Sequence, residues 1–119
     1  MENFKIGLQK RLLDLSVKVI VFTRQLPDST ENRIIKYQLI KSVTSVGANY
    51  QAACRAKSRA DFINKLHIVE EECDESIYWI KLISVIHEKS NNAIDLILAE
   101  LIEIMSIIVA SLKTMKGKM

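Results

Sequence analysis

The side chains best able to perform chemistry crowd one short segment, in which a histidine precedes five carboxylates. Carboxylates in four-helix proteins can hold two iron ions when two helices each donate Glu-x-x-His and two more each donate a glutamate. The chain has no Glu-x-x-His, and His67-x-x-Glu70 has the opposite order. We therefore predict no metal site and no cofactor. The segment comprises His67, Glu70, Glu71, Glu72, Asp74 and Glu75.

A general acid and base is the second chemistry that these carboxylates could support. Glu72 and Glu75 are three residues apart, so a helix would place both on one face. Close carboxylates are also common in structural networks, and neither His67 nor His87 stands beside an evident nucleophile. We predict that the protein is not an enzyme and that Glu72 and Glu75 serve packing or assembly.

Basic residues form the other candidate site. Arg55, Lys57 and Arg59 surround a turn that precedes a helix, where backbone N–H groups and the helix dipole favour an anion. We predict that this turn, with Lys36 and Lys41, contacts the phosphate backbone of RNA or DNA. The alternative is that these residues only keep an exposed turn soluble.

The charge distribution gives the same indication on a larger scale. Residues 1–59 contain 11 Lys/Arg and 4 Asp/Glu, whereas residues 60–119 contain 6 and 10. The first half therefore has a net charge of +7 and the second half −4, which together give the +3 of the whole chain. We expect the basic surface to lie on the first two helices and the turn that follows them.

Four apolar stripes with helical spacing predict the elements that position these groups. Helix 1 should span about residues 7–26, and the stripe of helix 2 should end near Cys54. Helix 3 should begin at about residue 59 and end at 88–92, before helix 4 at about 92–114. The expected stripe of helix 3 is Phe62, Leu66, Val69, Cys73, Ile80 and Ile83.

Turn chemistry is scarce, because the chain has only three glycines and one proline among 119 residues. Such a composition favours a few long helices joined by short connections, and short connections favour antiparallel neighbours. We predict a single all-α domain over residues 1–119, an antiparallel up-down-up-down four-helix bundle with crossing angles of about 20°.

Helix 2 carries a face of small side chains. A glycine costs about 1 kcal/mol relative to alanine within a helix, so Gly47 predicts a close crossing with another helix. Ser42 and Ser45 should face helix 3, with Ser42 near Glu72, so that a hydroxyl pairs with an inward carboxylate. We assign these residues and Asn49 a structural role.

Helix 4 has more apolar surface than one inward face requires. We predict that its second face packs against other copies of the chain, which makes the protein a homo-oligomer; the alternative is an unusually enclosed core helix. Tyr50, Tyr78 and Trp79 should be core or interface anchors rather than platforms for bases. The second face of helix 4 consists of Leu98, Ile102, Met105, Val109 and Leu112.

Residues 42–82 resemble a four-helix-bundle family that includes proteins encoded in intervening sequences of bacterial 23S rRNA genes. Accessory proteins of diversity-generating retroelements look like relatives, and this resemblance implies a homopentameric barrel with a basic surface that handles nucleic acid. The chain departs from the pattern at residues 50–53, reading Tyr-Gln-Ala-Ala where many members read Ile-x-Glu-Gly. The resemblance depends on Ser42, Ser45, Gly47, Ala48, Asn49, Ser58, Asp61, Phe62, Glu72, Glu75, Tyr78, Trp79 and Leu82.

The location of the protein follows from what its apolar segments contain. The N-terminus lacks the pattern of a secretory signal, and the apolar segment 94–112 contains three acidic residues that oppose membrane insertion. We expect a cytoplasmic protein with no membrane contact, in which Cys54 and Cys73 remain free thiols. The predicted function is a non-enzymatic accessory protein that binds nucleic acid; the alternative is a protein-interaction scaffold.

Overall fold

Four helices account for nearly all of the part of the chain that the structure describes, residues 2–87 and 91–117. In this computed structural model α1 spans Glu2–Thr23, α2 Thr30–Ala53, α3 Arg59–Ile86 and α4 Asn92–Gly117. No strand occurs within those described ranges. The helices pack into a bundle that measures 47 × 22 × 21 Å. The prediction of an all-α protein with four helices is confirmed.

The boundaries of α1 differ from the prediction at both ends. The helix begins at Glu2 rather than near residue 7, and it ends at Thr23 rather than near residue 26. After Thr23 the chain makes a tighter turn than an α-helix. Leu26 N donates to Thr23 O at 3.2 Å, and this hydrogen bond spans three residues, whereas an α-helical bond spans four. Pro27 contributes to this ending, because it disfavours helical geometry at Leu26 and has no N–H to donate to Thr23 O.

Serine side chains begin α2 and α3 as their sequence patterns indicate. Ser29 Oγ accepts from Asn32 N at 3.1 Å, and Ser58 Oγ accepts from Asp61 N at 3.1 Å. Each bond satisfies one of the first backbone N–H groups, which have no partner within a helix. Local sequence therefore fixes both starting points.

The core is a continuous set of aliphatic side chains from all four helices. The predicted stripe of α3 is correct except at its first member, because Ile63 is buried and Phe62 is only half-buried. Tyr50 is buried as predicted, at 3% exposure. Deep in the core the largest side chains are Leu12, Leu15, Leu39, Leu66, Ile80, Ile83, Leu101, Ile104 and Ile108.

Two buried serines, one on α2 and one on α3, pair with each other rather than with a carboxylate. Ser42 and Ser76 are fully buried, and their hydroxyl oxygens lie 2.9 Å apart across the interface between α2 and α3. The hydroxyl of Ser42 also lies 3.1 Å from Leu39 O, and that of Ser76 lies 2.9 Å from Glu72 O. The expected pairing of Ser42 with an inward carboxylate is therefore wrong, because a second hydroxyl satisfies it.

Gly47 lies at the predicted close crossing, which is between α2 and α1. A Cβ atom built on Gly47 would lie 3.7 Å from Leu12 Cβ and 3.8 Å from Leu12 O, which is ordinary van der Waals contact. One turn away, Ser16 Oγ donates to Val43 O at 3.4 Å. Small residues thus bring α2 close to the backbone of α1, although the space at Gly47 suffices for a methyl group.

The second apolar face of α4 is narrower than predicted. Leu112 belongs to the core at 4% exposure, and Leu98 and Met105 are half-buried against the core of their own chain. Of the five residues expected to form this face of α4, only Ile102 is exposed, at 48%.

The larger exposed apolar surface is instead on α1, where the sequence reading placed none. Ile6, Leu13, Val17 and Val21 are each between 47% and 65% exposed. Their spacing places them together on the outer side of the helix, and we call them the outer face of α1. An apolar surface of this kind on a small protein typically marks an interaction site.

Candidate nucleic-acid interface

The predicted basic turn is a short connection between α2 and α3. Its backbone is held by hydrogen bonds over three residues, from Arg55 N to Ala52 O (3.1 Å) and from Ala56 N to Ala53 O (3.0 Å). The residues Arg55, Lys57 and Arg59 are all exposed. The turn therefore presents three cations from a fixed backbone.

An internal carboxylate occupies part of the position where an anion was expected. Asp61, in the first turn of α3, accepts from the backbone N–H of Lys57 at 3.2 Å and from Lys65 Nζ at 2.6 Å. The hydrogen bond from Lys65, followed by that from Lys57, lowers the pKa of Asp61. A phosphate near this turn would therefore contact the outward cations rather than the N-terminus of α3.

The basic turn belongs to a larger basic end of the bundle, to which all four helices contribute. A groove of about 300 Å³ has Lys5 of α1, Cys54 beside α2, Arg59 of α3 and Met115 of α4 among its walls. The first turns of α1 and the last turns of α4 thus lie beside the turn. Seven Lys/Arg and two Asp/Glu occur in residues 2–10, 50–64 and 108–117. We call this region the basic end.

Two of its cations, Lys113 and Lys116, come from the acidic half of the sequence. Both are exposed near the C-terminus of α4. The expectation that positive charge would concentrate on the first two helices is therefore incomplete, because packing adds the end of α4 to the basic turn.

Lys36 and Lys41 lie away from the turn. At about 1.5 Å per residue, Lys41 is roughly 21 Å and Lys36 roughly 28 Å from Arg55 along α2. Lys41 is exposed and Lys36 is half-buried. These two residues cannot share a phosphate with the turn, although a longer strand could reach Lys41.

The carboxylates of α3 interact mainly with neighbours on their own helix. Glu70 Oε1 lies 3.4 Å from His67 Nδ1, and Glu75 Oε2 accepts from Trp79 Nε1 at 3.3 Å. Glu71 and Asp74 point to solvent. Within residues 2–87 and 91–117, no three His, Cys, Asp or Glu side chains are arranged to hold a metal ion.

The aromatic pair beside these carboxylates forms a T-shaped contact. The rings of Tyr78 and Trp79 have centroids 5.0 Å apart and planes at 79°. Trp79 is half-buried and packs against the core, whereas Tyr78 is 58% exposed. The placement of Trp79 agrees with an anchor, and Tyr78 is not part of the core of its own chain.

An ion cluster that sequence reasoning missed joins α1 to α4. Arg11 makes a bidentate contact with Glu100, with both N–O distances 2.7 Å, and its Nη2 lies 3.0 Å from Glu103 Oε2. The hydrogen bond from Arg11 holds the pKa of Glu100 below its usual value. The signal in the sequence was the presence of two glutamates within the most apolar helix, which need a cationic partner.

The two thiols are free, as predicted. Cys73 is fully buried and its Sγ lies 3.5 Å from Leu101 O. Burial raises the pKa of the Cys73 thiol to about 12, so this group is not a nucleophile near neutral pH. Cys54 is half-buried beside Tyr50, whose pKa is raised by burial and then by Cys54.

The helices and the basic end define a small all-α protein with strong charge asymmetry. Comparison with known proteins then identifies its family, since the profile described as 23S rRNA-intervening sequence protein matches residues 5–110. The chain belongs to this family. No curated protein gives a significant match to the chain.

A solved structure agrees with this assignment. The chain is similar to a protein of unknown function from the S23 ribosomal protein family of Bacteroides thetaiotaomicron, whose crystal structure was determined at 1.70 Å. The two share 30% sequence identity and superpose with a TM-score of 0.80. The match covers 88% of this chain and 97% of the other.

The apolar character of α4 does not make it a membrane span. None of the helices in the described ranges combines the length and hydropathy needed to cross a bilayer. Asp95, Glu100 and Glu103 interrupt the apolar segment, and Glu100 and Glu103 pair with Arg11.

Proposed function

We propose that this protein is a non-enzymatic, cytoplasmic homo-oligomer that binds RNA or DNA by its phosphate backbone. The basic end would provide the contacts, with Arg55 and Lys57 as the principal side chains. The observation that supports this most is the convergence of cations from α1, from the turn between α2 and α3, from the start of α3 and from the end of α4, where seven basic residues meet two acidic ones. Clustered positive charge is the electrostatic footprint of a nucleic-acid surface.

Assembly would multiply this footprint. In a ring of identical subunits, each basic end would repeat around one rim, and several weak phosphate contacts would add to a salt-sensitive affinity. A pentamer is the state that the resemblance to retroelement accessory proteins implies. The outer face of α1 is the apolar surface most suited to contact between copies, with Ile102 of α4 as a further exposed residue.

Fluorescence anisotropy with a labelled single-stranded RNA over a range of salt concentrations tests the proposed site. The logarithm of the association constant falls linearly with the logarithm of salt concentration, and each lost phosphate contact should make this slope shallower by about 0.7 for a single strand. We expect the double variant Arg55→Ala/Lys57→Ala to lower the slope by about 1.4 and to weaken binding at low salt.

A variant with the same loss of charge elsewhere is the control. Arg24→Ala/Lys81→Ala removes two exposed cations outside the basic end, and it should leave the slope almost unchanged. Equal slopes for the wild type and Arg55→Ala/Lys57→Ala would refute the assigned site. Equal losses in both double variants would indicate attraction to overall charge rather than a surface.

A protein-interaction scaffold is the second candidate. The carboxylates of α3, with Glu71, Asp74 and Glu75 exposed, give the molecule an acidic strip in addition to its basic end. Such a pair of surfaces suits a protein partner or the adjacent subunit of a ring. Protein purified at low salt without nuclease should carry nucleic acid under the first proposal and none under the second.

A further inference from the structure

An apolar groove with aromatic walls opens next to the basic turn. It has two adjoining parts, of about 410 Å³ and about 300 Å³, which share Lys5, Phe62 and Met115 as walls. The larger part extends to Phe4 at the start of α1, and the smaller part extends to Arg59. We call these two parts together the terminal groove.

The aromatic walls of the terminal groove are accessible. Phe4 is 49% exposed, and Phe62 is half-buried at the first turn of α3. Tyr50 also lines the groove, but it is buried, with 3% of its surface exposed. The groove therefore offers aromatic surface that the fold of the single chain leaves uncovered.

Positive charge lies inside the same groove. Lys5 Nζ lies over the Phe62 ring, 5.3 Å from its centroid, so an ammonium group occupies one face of this ring and Phe4 is the more exposed aromatic wall. Arg59 borders the other part of the groove, and Lys57 is exposed on the turn nearby. An occupant should therefore combine flat apolar groups with negative charge.

Single-stranded nucleic acid has this combination, because each unpaired base presents a flat face and each phosphate carries a charge. Proteins that bind single strands pair a basic groove with aromatic side chains on which bases stack. A duplex cannot present a base in this way without unstacking and unpairing it, which costs a few kcal/mol.

We propose that the terminal groove accepts an unpaired base of a single-stranded nucleic acid, whose flanking phosphates contact Lys5 and the basic turn. This inference rests on the proposed function and makes it more specific. The protein should prefer single strands to duplexes, and Phe4 should contribute to that preference through its ring.

Binding of a labelled single-stranded RNA and of its duplex to the full-length chain tests the inference. Phe4→Ala should weaken single-strand binding about fivefold or more and leave duplex binding unchanged. Phe4→Trp, which retains an aromatic ring, should bind the single strand as the wild type does. The control is Val85→Ala, at a residue of α3 that is 75% exposed and lies outside both the groove and the outer face of α1.

The outcomes separate this inference from the function on which it rests. If Arg55→Ala/Lys57→Ala weakens binding but Phe4→Ala does not, phosphate binding stands and base insertion is refuted. If the wild type binds neither the single-stranded RNA nor its duplex, both proposals fail. A lower mass of Phe4→Ala in light scattering would show that another copy covers Phe4, which also refutes the groove as a base site.

Discussion

Replacement of Gly47 with alanine should stabilise the protein, although the glycine faces the backbone of α1 at Leu12. A Cβ atom at this position would have Leu12 Cβ as its nearest neighbour, at 3.7 Å, and the backbone there has no positive φ. The methyl group of alanine therefore fits without moving either helix. The close crossing and the tolerance of a methyl group are compatible because Leu12 leaves an ordinary contact distance.

The size of the effect follows from helix propensity. Gly47 is well inside α2, where alanine is favoured over glycine by about 1 kcal/mol. With an unfolding entropy of about 2.1 cal/mol/K per residue, 119 residues give about 0.25 kcal/mol/K, so Tm should rise by about 4 °C. Gly47→Val should lose this gain, because its additional methyl groups would crowd the Leu12 backbone.

Thermal unfolding followed by circular dichroism measures the change, with all variants at one protein concentration because assembly would affect Tm. Gly7→Ala is the control, since nothing lies within 4 Å of a Cβ there and the residue is exposed near the start of α1. Its gain should be smaller than that of Gly47→Ala. A fall in Tm for Gly47→Ala would show that the helices approach more closely than these distances indicate, and would refute the reasoning.

Further predictions concern the ion cluster and the outer face of α1. Arg11→Met should lower the free energy of unfolding, measured in urea, by about 1 kcal/mol, because it leaves the partly buried Glu100 without its bidentate partner. Arg33→Met removes the cation of a more exposed pair and should leave the free energy of unfolding almost unchanged. The pKa of Glu100 is lowered in the folded protein, so Glu100 should stabilise the fold fully above its unfolded pKa near 4.5, and this stabilisation should disappear as pH falls through the folded pKa. Arg11→Met should remove this part of the pH dependence of the free energy of unfolding. An unchanged pH dependence in Arg11→Met would exclude Glu100 as its source. Leu13→Glu, on the outer face of α1, should reduce the mass of the assembly measured by light scattering. Val85→Glu, at a residue of α3 that is 75% exposed, should leave that mass unchanged. An intact assembly of Leu13→Glu would rule out the outer face of α1 as the contact between copies.

Most of the secondary structure could be predicted from the sequence. Apolar spacing of three and four residues, the caps Ser29 and Ser58 and the break at Pro27 are local signals, because they act between residues adjacent along the chain. They located all four helices, with the largest error at the start of α1. The family resemblance in residues 42–82 was also present in the sequence, and the match over residues 5–110 confirms it.

Packing decided which of these local features meet. Arg11 and Glu100 are 89 residues apart, and Ser42 and Ser76 are 34 apart, so no spacing along the chain predicts either contact. The sequence indicated a basic turn and a basic first half. Only the bundle joins Lys5 and the last turns of α4 to that turn, because the rotation and register of each helix depend on how its apolar stripe packs against the others.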